Sequence, residues 1–194
     1  MILNPLSNKL NYDQFASVIP LKLFNTDDAD GFVNYVNNIL LNHSSFKNLD
    51  QDIKDQITTF YYEVFDNVGI HSNSEIGCIV CGQYYPQKGL LKFSFVDYGD
   101  GLLKKIKEFT KDMANPVLND KHAIQWAVSG NSTKNNIPGG TGLSNILNYC
   151  MRENHFFQII SGETFFEYSN KKAYFYDIKD YPKGLTVNLI FSFN

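Results

Sequence analysis

Three short segments hold acidic, amide and glycine residues at spacings suited to binding and activating a phosphate ligand. Glu63 and Asn67 stand four residues apart in a stretch of helical periodicity, so they project from one face, one turn from each other. A carboxylate there can polarise an attacking water or hydroxyl, and an Asn carbonyl oxygen is a hard ligand suited to magnesium. The solvated face of an ordinary helix carries such pairs too. Asp97-Tyr98-Gly99-Asp100-Gly101 follows an apolar strand pattern. An aspartate at a strand end can accept a hydrogen bond from an exocyclic amine, while Gly99 and Gly101 permit positive φ or a close backbone approach to a ligand. A plain strand-to-helix turn favours the same residues. In the third segment, Pro138-Gly139-Gly140-Thr141-Gly142-Leu143, glycines open a helical pattern and let backbone amides line a concavity that favours phosphate. It has no GK[ST] ending of a P-loop and no GxGxxG in a βαβ unit, which excludes the two commonest nucleotide-binding designs.

The elements that must position these segments follow from periodicity. Val18 to Phe24 reads as a strand, and Thr26, Asp27 and Asp28 offer caps for a helix to about Asn42. Asp50 caps a long helix: Ile53, Ile57, Phe60, Tyr61, Val64, Phe65 and Val68 recur at helical spacing. Ile76 to Tyr84 and Leu90 to Asp97 form a hairpin around the turn-forming Pro86 to Gly89. Short helical patterns at Leu102 to Phe109 and His122 to Val128 sit within the irregular stretch from Asp97 to Gly140, the kind of segment that forms a lid or binding loop. A helix from Gly142 to Arg152 and strands at Phe156 to Ser161, Thr164 to Tyr168 and Leu185 to Phe193 complete the chain. This order predicts an α+β two-layer sandwich, a mixed and largely antiparallel sheet with helices on one face.

Composition narrows the function classes. The 194 residues are 43% hydrophobic and show no repeat or linker, so one folded domain over 1–194 is expected, with a strand and helix in 1–48 and a core in 49–193. The most apolar run, Val187 to Phe193, is far short of the roughly 20 residues of a membrane helix, and the N-terminus has no signal pattern, which reads as a soluble cytoplasmic chain without membrane association. Net charge is −3 and Arg152 is the single arginine, so a guanidinium-rich phosphate-backbone surface cannot be built and direct nucleic-acid binding is not expected. Cys78 and Cys81 fall three apart on a strand, facing opposite ways, without a second pair to complete a zinc site; they read as reduced, mostly buried thiols.

ExxDN on a helix, DxGxG after a strand and GGTGL opening a helix, in that order, resemble the N, G1 and G2 boxes of the GHKL superfamily with its Bergerat ATP-binding fold. Ser132-Thr133-Lys134 ahead of GGTGL is similar to the lid end of histidine-kinase-like members. Gly184-Leu185-Thr186-Val187 is similar to their last-strand GT motif, with a leucine inserted between glycine and threonine. The resemblance covers about Leu49 to Phe193.

It implies a histidine-kinase-like ATPase domain with ATP and Mg2+ as ligands. Glu63 would activate the nucleophile and Asn67 would hold magnesium. Asp97 would bond the adenine amino group, with Gly99 and Gly101 shaping the approach and the start of a lid over about 98–140. Gly139, Gly140, Thr141, Gly142 and Leu143 would contact phosphates, Lys134 would add charge near the γ-phosphate, and Thr186 would lie near the adenine. No phosphoacceptor-histidine region is expected before the N box and no transducer domain after the ATP-binding core, a layout similar to stand-alone bacterial ATP-binding proteins such as anti-sigma-factor kinases. These act as signalling regulators with small STAS-type partners.

The implied activity is ATP hydrolysis or serine/threonine-type phosphorylation of a partner protein. The alternative is a non-catalytic sensor of ATP and ADP that gates an interaction, and a third reading is an adaptor with degenerate motifs. Tyr61, Tyr62, Phe165 and Phe166 could form a homodimer face, though core packing or sheet coverage is their more usual place.

Overall fold

The structure is a computed structural model that describes residues 17–67, 74, 76–133 and 141–193, with Asn67 described by its backbone alone. Strand β1 (Val18–Phe24) is followed by α1 (Ala29–Tyr35), whose N-terminal Gly31 amide donates to the Asp28 cap. The helix expected to run to Asn42 winds on as a π-turn, Val36–Leu40, in which Leu41 N donates to Val36 O; Val36, Leu40 and Leu41 are all buried. The wider turn brings those apolar side chains to the core, which outweighs the regular helical bond pattern. Helix α2 (Gln51–Asn67) begins after Asp50 as the spacing predicts.

The predicted hairpin forms from β2 (Cys78–Tyr85) and β3 (Leu90–Asp97) around a short 3-10 turn at Pro86–Lys88, closed by Gly89 in the left-handed region at φ 57. Helices α3 (Leu103–Thr110), α4 (Asp120–Val128) and α5 (Gly142–Glu153) precede β4 (Phe156–Ser161), β5 (Thr164–Ser169), β6 (Lys172–Asp177) and β7 (Leu185–Ser192). Strand β6 went unforeseen because its pattern is exposed almost throughout, as suits a sheet edge, and its turn uses Asn170 and Lys171 at positive φ rather than glycine.

Among the described residues seven strands form one sheet, in the order β1-β2-β3-β7-β4-β5-β6. Every pairing among the described residues is antiparallel, so the expected admixture of parallel strands is absent from them. Strand alternation puts Leu91, Phe93, Phe95 and Asp97 on one face with Val187, Leu189, Phe157 and Ile159, all buried. Helical rings meet that face: Tyr61 lies 4.9 Å from Phe93, Phe32 6.1 Å from Phe95 and Phe46 4.8 Å from Phe191. Among the described residues no helix is long and apolar enough to cross a membrane.

The stretch expected to be a lid is largely anchored between residues 103 and 128. Ile106, Val117, Ala123, Ile124 and Ala127 join the core, and Thr110 Oγ1 donates to Ile106 O at 2.8 Å while accepting from Val117 N at 2.9 Å. Asp120 Oδ2 accepts from Glu163 N at 3.2 Å, tying α4 to the β4–β5 turn. The expected short helices within the irregular region therefore belong to the fold.

His155 couples α5 to the sheet and makes stability depend on pH. Its Nδ1 accepts from Ser192 N at 3.1 Å, its Nε2 lies 3.4 Å from Tyr149 Oη, and the residue is 9% exposed. Burial lowers its pKa from 6.5 to about 4, against an opposing pull from Glu153. The native ring stays neutral while the unfolded chain takes up a proton near pH 6.5, so stability is full above that pH and falls as the pH drops towards about 4. Between pH 7 and 5 this group alone should cost about 2 kcal/mol. Urea unfolding of the native chain and of His155→Gln at both pH values checks it: the variant should lose less on acidification, and equal losses would contradict the assignment.

Candidate functional site

The site is set by how α2 and α5 lie. Gln56 Oε1 accepts from Arg152 Nη2 at 3.3 Å, the Phe60 and Tyr149 rings are 5.7 Å apart, and Glu63 abuts Gly142. Numbers rise along one helix as they fall along the other, so the two run antiparallel and the C-terminal end of α2 meets the N-terminal end of α5. The fit leaves no room for a side chain at 142: a Cβ there would come 2.9 Å from Glu63 Cβ and 3.1 Å from Glu63 Oε2. Glu63 is half-buried and its Oε2 fully so. Asn67 is the last residue of α2, at this same end.

The first turn of α5 is closely packed, with Gly142, Leu143 and Ser144 all buried. Thr141 is its N-cap residue, but the Thr141 side chain makes no cap bond; its Oγ1 accepts from Asn145 Nδ2 at 3.0 Å, and its carbonyl accepts from Ser144 Oγ at 2.8 Å. The N-terminal end of a helix carries the positive end of the helix dipole and N–H groups without intrahelical partners. Gly142 and Leu143 open that turn, and the Leu143 side chain is buried. Gly130, at φ +85 beyond α4, comes alongside: a Cβ on it would lie 3.7 Å from Ser144 Oγ.

Asp97 lies at the end of β3, on the face that carries Phe93 and Phe95, and is 3% exposed. Helix α2 advances in the same direction as β3, since Tyr61 packs on Phe93 while Phe65 stacks 4.5 Å from Phe32, which meets Phe95. Asp97 and the C-terminal end of α2 thus lie towards one end of the domain. Gly99 N donates to Asp97 Oδ1 at 2.7 Å and fixes the carboxylate; a carboxylate has further lone pairs for an amine. The neighbouring Cys78, in register with Asp97, is free and buried, and its thiol is pushed up to about 12 by burial and then by Asp97. A neutral thiol is neither nucleophile nor metal ligand. Among the described residues no group of three or more His, Cys, Asp and Glu side chains could hold a metal ion by itself.

Two further positions complete this end: Ser161, which the sequence did not single out, and Gly184, which it offered only as the head of the GT-like segment. Gly184, at φ +95, lets the chain cross Asp97 so closely that a Cβ would lie 1.9 Å from Asp97 O. Its signal was a glycine directly before a strand. Ser161 stands in the inward row of β4, in register with Leu185, where the pattern calls for an apolar residue; its Oγ accepts from Leu102 N at 3.0 Å and lies 3.0 Å from where a Cβ on Gly101 would be. Gly101 takes φ +70, and this bond pins the chain as it leaves Asp97. Replacing Gly184 by Ala should cost at least about 3 kcal/mol, read as a shift in the urea midpoint, because both the positive φ and the contact with Asp97 forbid a methyl group. A shift within about 0.5 kcal/mol would contradict this packing.

The structure brings Glu63, Gly142 and the Thr141 cap together, with Asp97, Gly99 and Gly101 at the same end. Thr186 is not among them. Leu185 is the residue in register with Asp97, so its neighbour Thr186 points to the opposite face, beside Val96 and Ile160. The inserted leucine explains this: with a side-chain period of two, a one-residue shift flips the threonine across the sheet. Lys134, Gly139 and Gly140 lie outside the described residues, as does the Asn67 side chain. No protein-family model matches the chain, and no curated protein sequence matches it either.

Proposed function

We propose that the chain is a Mg-ATP-binding domain of GHKL type with a Bergerat fold, acting in bacterial regulation by hydrolysing ATP or phosphorylating a partner protein. The observation that carries this reading is the seating of Glu63 against Gly142, a carboxylate held at the opening of a helix that follows a glycine-rich segment. In space, two of the three motifs meet at one junction, and the third, with Asp97 at its head, lies at the same end. The antiparallel sheet with aromatic side chains of α1 and α2 packed on one face suits a two-layer arrangement of this type.

The charge at this junction bears on the metal. A Glu63 carboxylate and a phosphate at one helix end repel each other unless a divalent cation lies between them. Asn67, one turn beyond Glu63, would supply a neutral oxygen ligand, and magnesium would neutralise phosphate charge. Glu63 would then take the proton of the attacking water or partner hydroxyl. Lys134, Gly139 and Gly140 would complete the phosphate side, and Asp97 would select the base through its amino group. A small STAS-type regulatory protein is the kind of partner this reading entails.

Release of phosphate from γ-labelled ATP, with and without magnesium, tests the reading. Magnesium-dependent release, or label on a partner, supports catalysis. Tight binding with neither identifies an ATP/ADP sensor, and no binding at all overturns the proposal.

A further inference from the structure

The sheet face opposite Asp97 presents a row that is close to self-complementary. Cross-strand register aligns Thr186 of the central strand β7 with Val96, Ile79 and Leu23 on one side and with Ile160, Phe165 and Tyr176 on the other. Apolar side chains thus flank one central threonine, three to a side. Leu23 and Tyr176 are 51% and 47% exposed, and the members between them are half-buried, although their inward neighbours Phe95, Val187 and Ile159 are at 0%. The next row is polar and internally bonded: Ser94 Oγ donates to Asn188 Oδ1 at 2.6 Å, Asn188 Nδ2 to Gln158 Oε1 at 3.3 Å, and Gln158 Nε2 to Glu167 Oε2 at 2.8 Å. A third row has Lys92, Ile190 and Phe156 in register.

We infer that this face docks a second copy of the chain, sheet to sheet, about a two-fold axis running along β7. The strand order places β7 fourth of seven, so that operation lays β3 over β4, β2 over β5 and β1 over β6 of the other copy. Val96 then meets Ile160, Ile79 meets Phe165, Leu23 meets Tyr176, and Thr186 and Ile190 each meet their own counterparts. Polar row falls on polar row. The charges do not clash: Lys92 comes over Phe156, and Glu167 over Cys81. Seven strands at ~4.8 Å spacing and three rows at ~7 Å give a footprint of roughly 600 Å² on each copy, about 1,200 Å² in total, the lower end of what a specific dimer buries. The twist of each sheet keeps the centre around β7 in closest contact and splays the corners.

The axis makes a sharp test, independent of nucleotide binding. In a Cys81→Ser background, Thr186→Cys should link to itself across the dimer with a short bismaleimide, because a residue on the axis faces its own copy. Facing backbones ~10 Å apart are too distant for a direct disulfide. Ile79→Cys alone should not link, whereas mixing it with Phe165→Cys should. Sedimentation equilibrium of the unlinked chain should show a concentration-dependent dimer, weakened at least about tenfold by Ile160→Glu with the circular dichroism spectrum unchanged. A monomer at all concentrations, or linkage of Ile79→Cys to itself, would overturn the proposal, as would a dimer indifferent to Ile160→Glu.

Discussion

Replacing Glu63 by Ala is expected to lower ATP turnover by about 10²- to 10⁴-fold while leaving nucleotide affinity within a few-fold of the native chain. Phosphoryl transfer relies mainly on positioning and on charge neutralisation, and a positioned base adds a factor of that size. Affinity should survive because the remaining contacts proposed for the nucleotide, the α5 amides and Asp97, are untouched. On the proposed reading the substitution would also remove a carboxylate from beside the phosphates, which would offset the loss of a metal-facing group. Glu63→Gln sharpens the reading, since it preserves volume against Gly142 and removes only the basicity. Single-turnover phosphate release and equilibrium titration on both variants check this. Equal turnover in either variant would show that Glu63 is not the base.

Asp97→Asn is expected to weaken ATP binding by roughly 10²-fold, with the fold intact by circular dichroism. The side chain is almost wholly buried, and its Oδ1 already accepts from Gly99 N. In the variant the single amide oxygen satisfies that bond, which would turn the amide nitrogen, a donor, towards the proposed adenine amine, also a donor. Losing a charge-assisted hydrogen bond and leaving two donors opposed costs about 3 kcal/mol. Discrimination between adenine and guanine should narrow at the same time, because the exocyclic amine is the proposed partner of this carboxylate. Titration of ATP and GTP into both chains measures the two effects together, and unchanged affinity would remove Asp97 from the site.

How much of this was legible depended on local pattern. The β2–β3 hairpin, α2 and α5 each carry strong periodicity with turn or capping residues at their ends, and each appeared within a few residues of its expected place. Strand β6 carries an exposed edge pattern and a turn without glycine, so neither burial nor punctuation marked it. Sheet order is a matter of tertiary contacts: nothing local says that β7 slots between β3 and β4. In the site, the residue types of Glu63 and Asp97 were readable, but the antiparallel α2–α5 pairing that seats Glu63 on Gly142 was not. Ser161 and Gly184 act through packing against other strands, visible only once the register is known. Thr186 shows the reverse case, where a motif match one residue out of step lands on the wrong face.

Isothermal titration of the native chain with ATP, with and without magnesium, decides whether the chain binds this nucleotide. One nucleotide per chain is expected, tighter with magnesium than without it, with binding reduced roughly 10²-fold in Asp97→Asn. Absence of binding heat under both conditions, confirmed by equilibrium dialysis with labelled ATP, would contradict it.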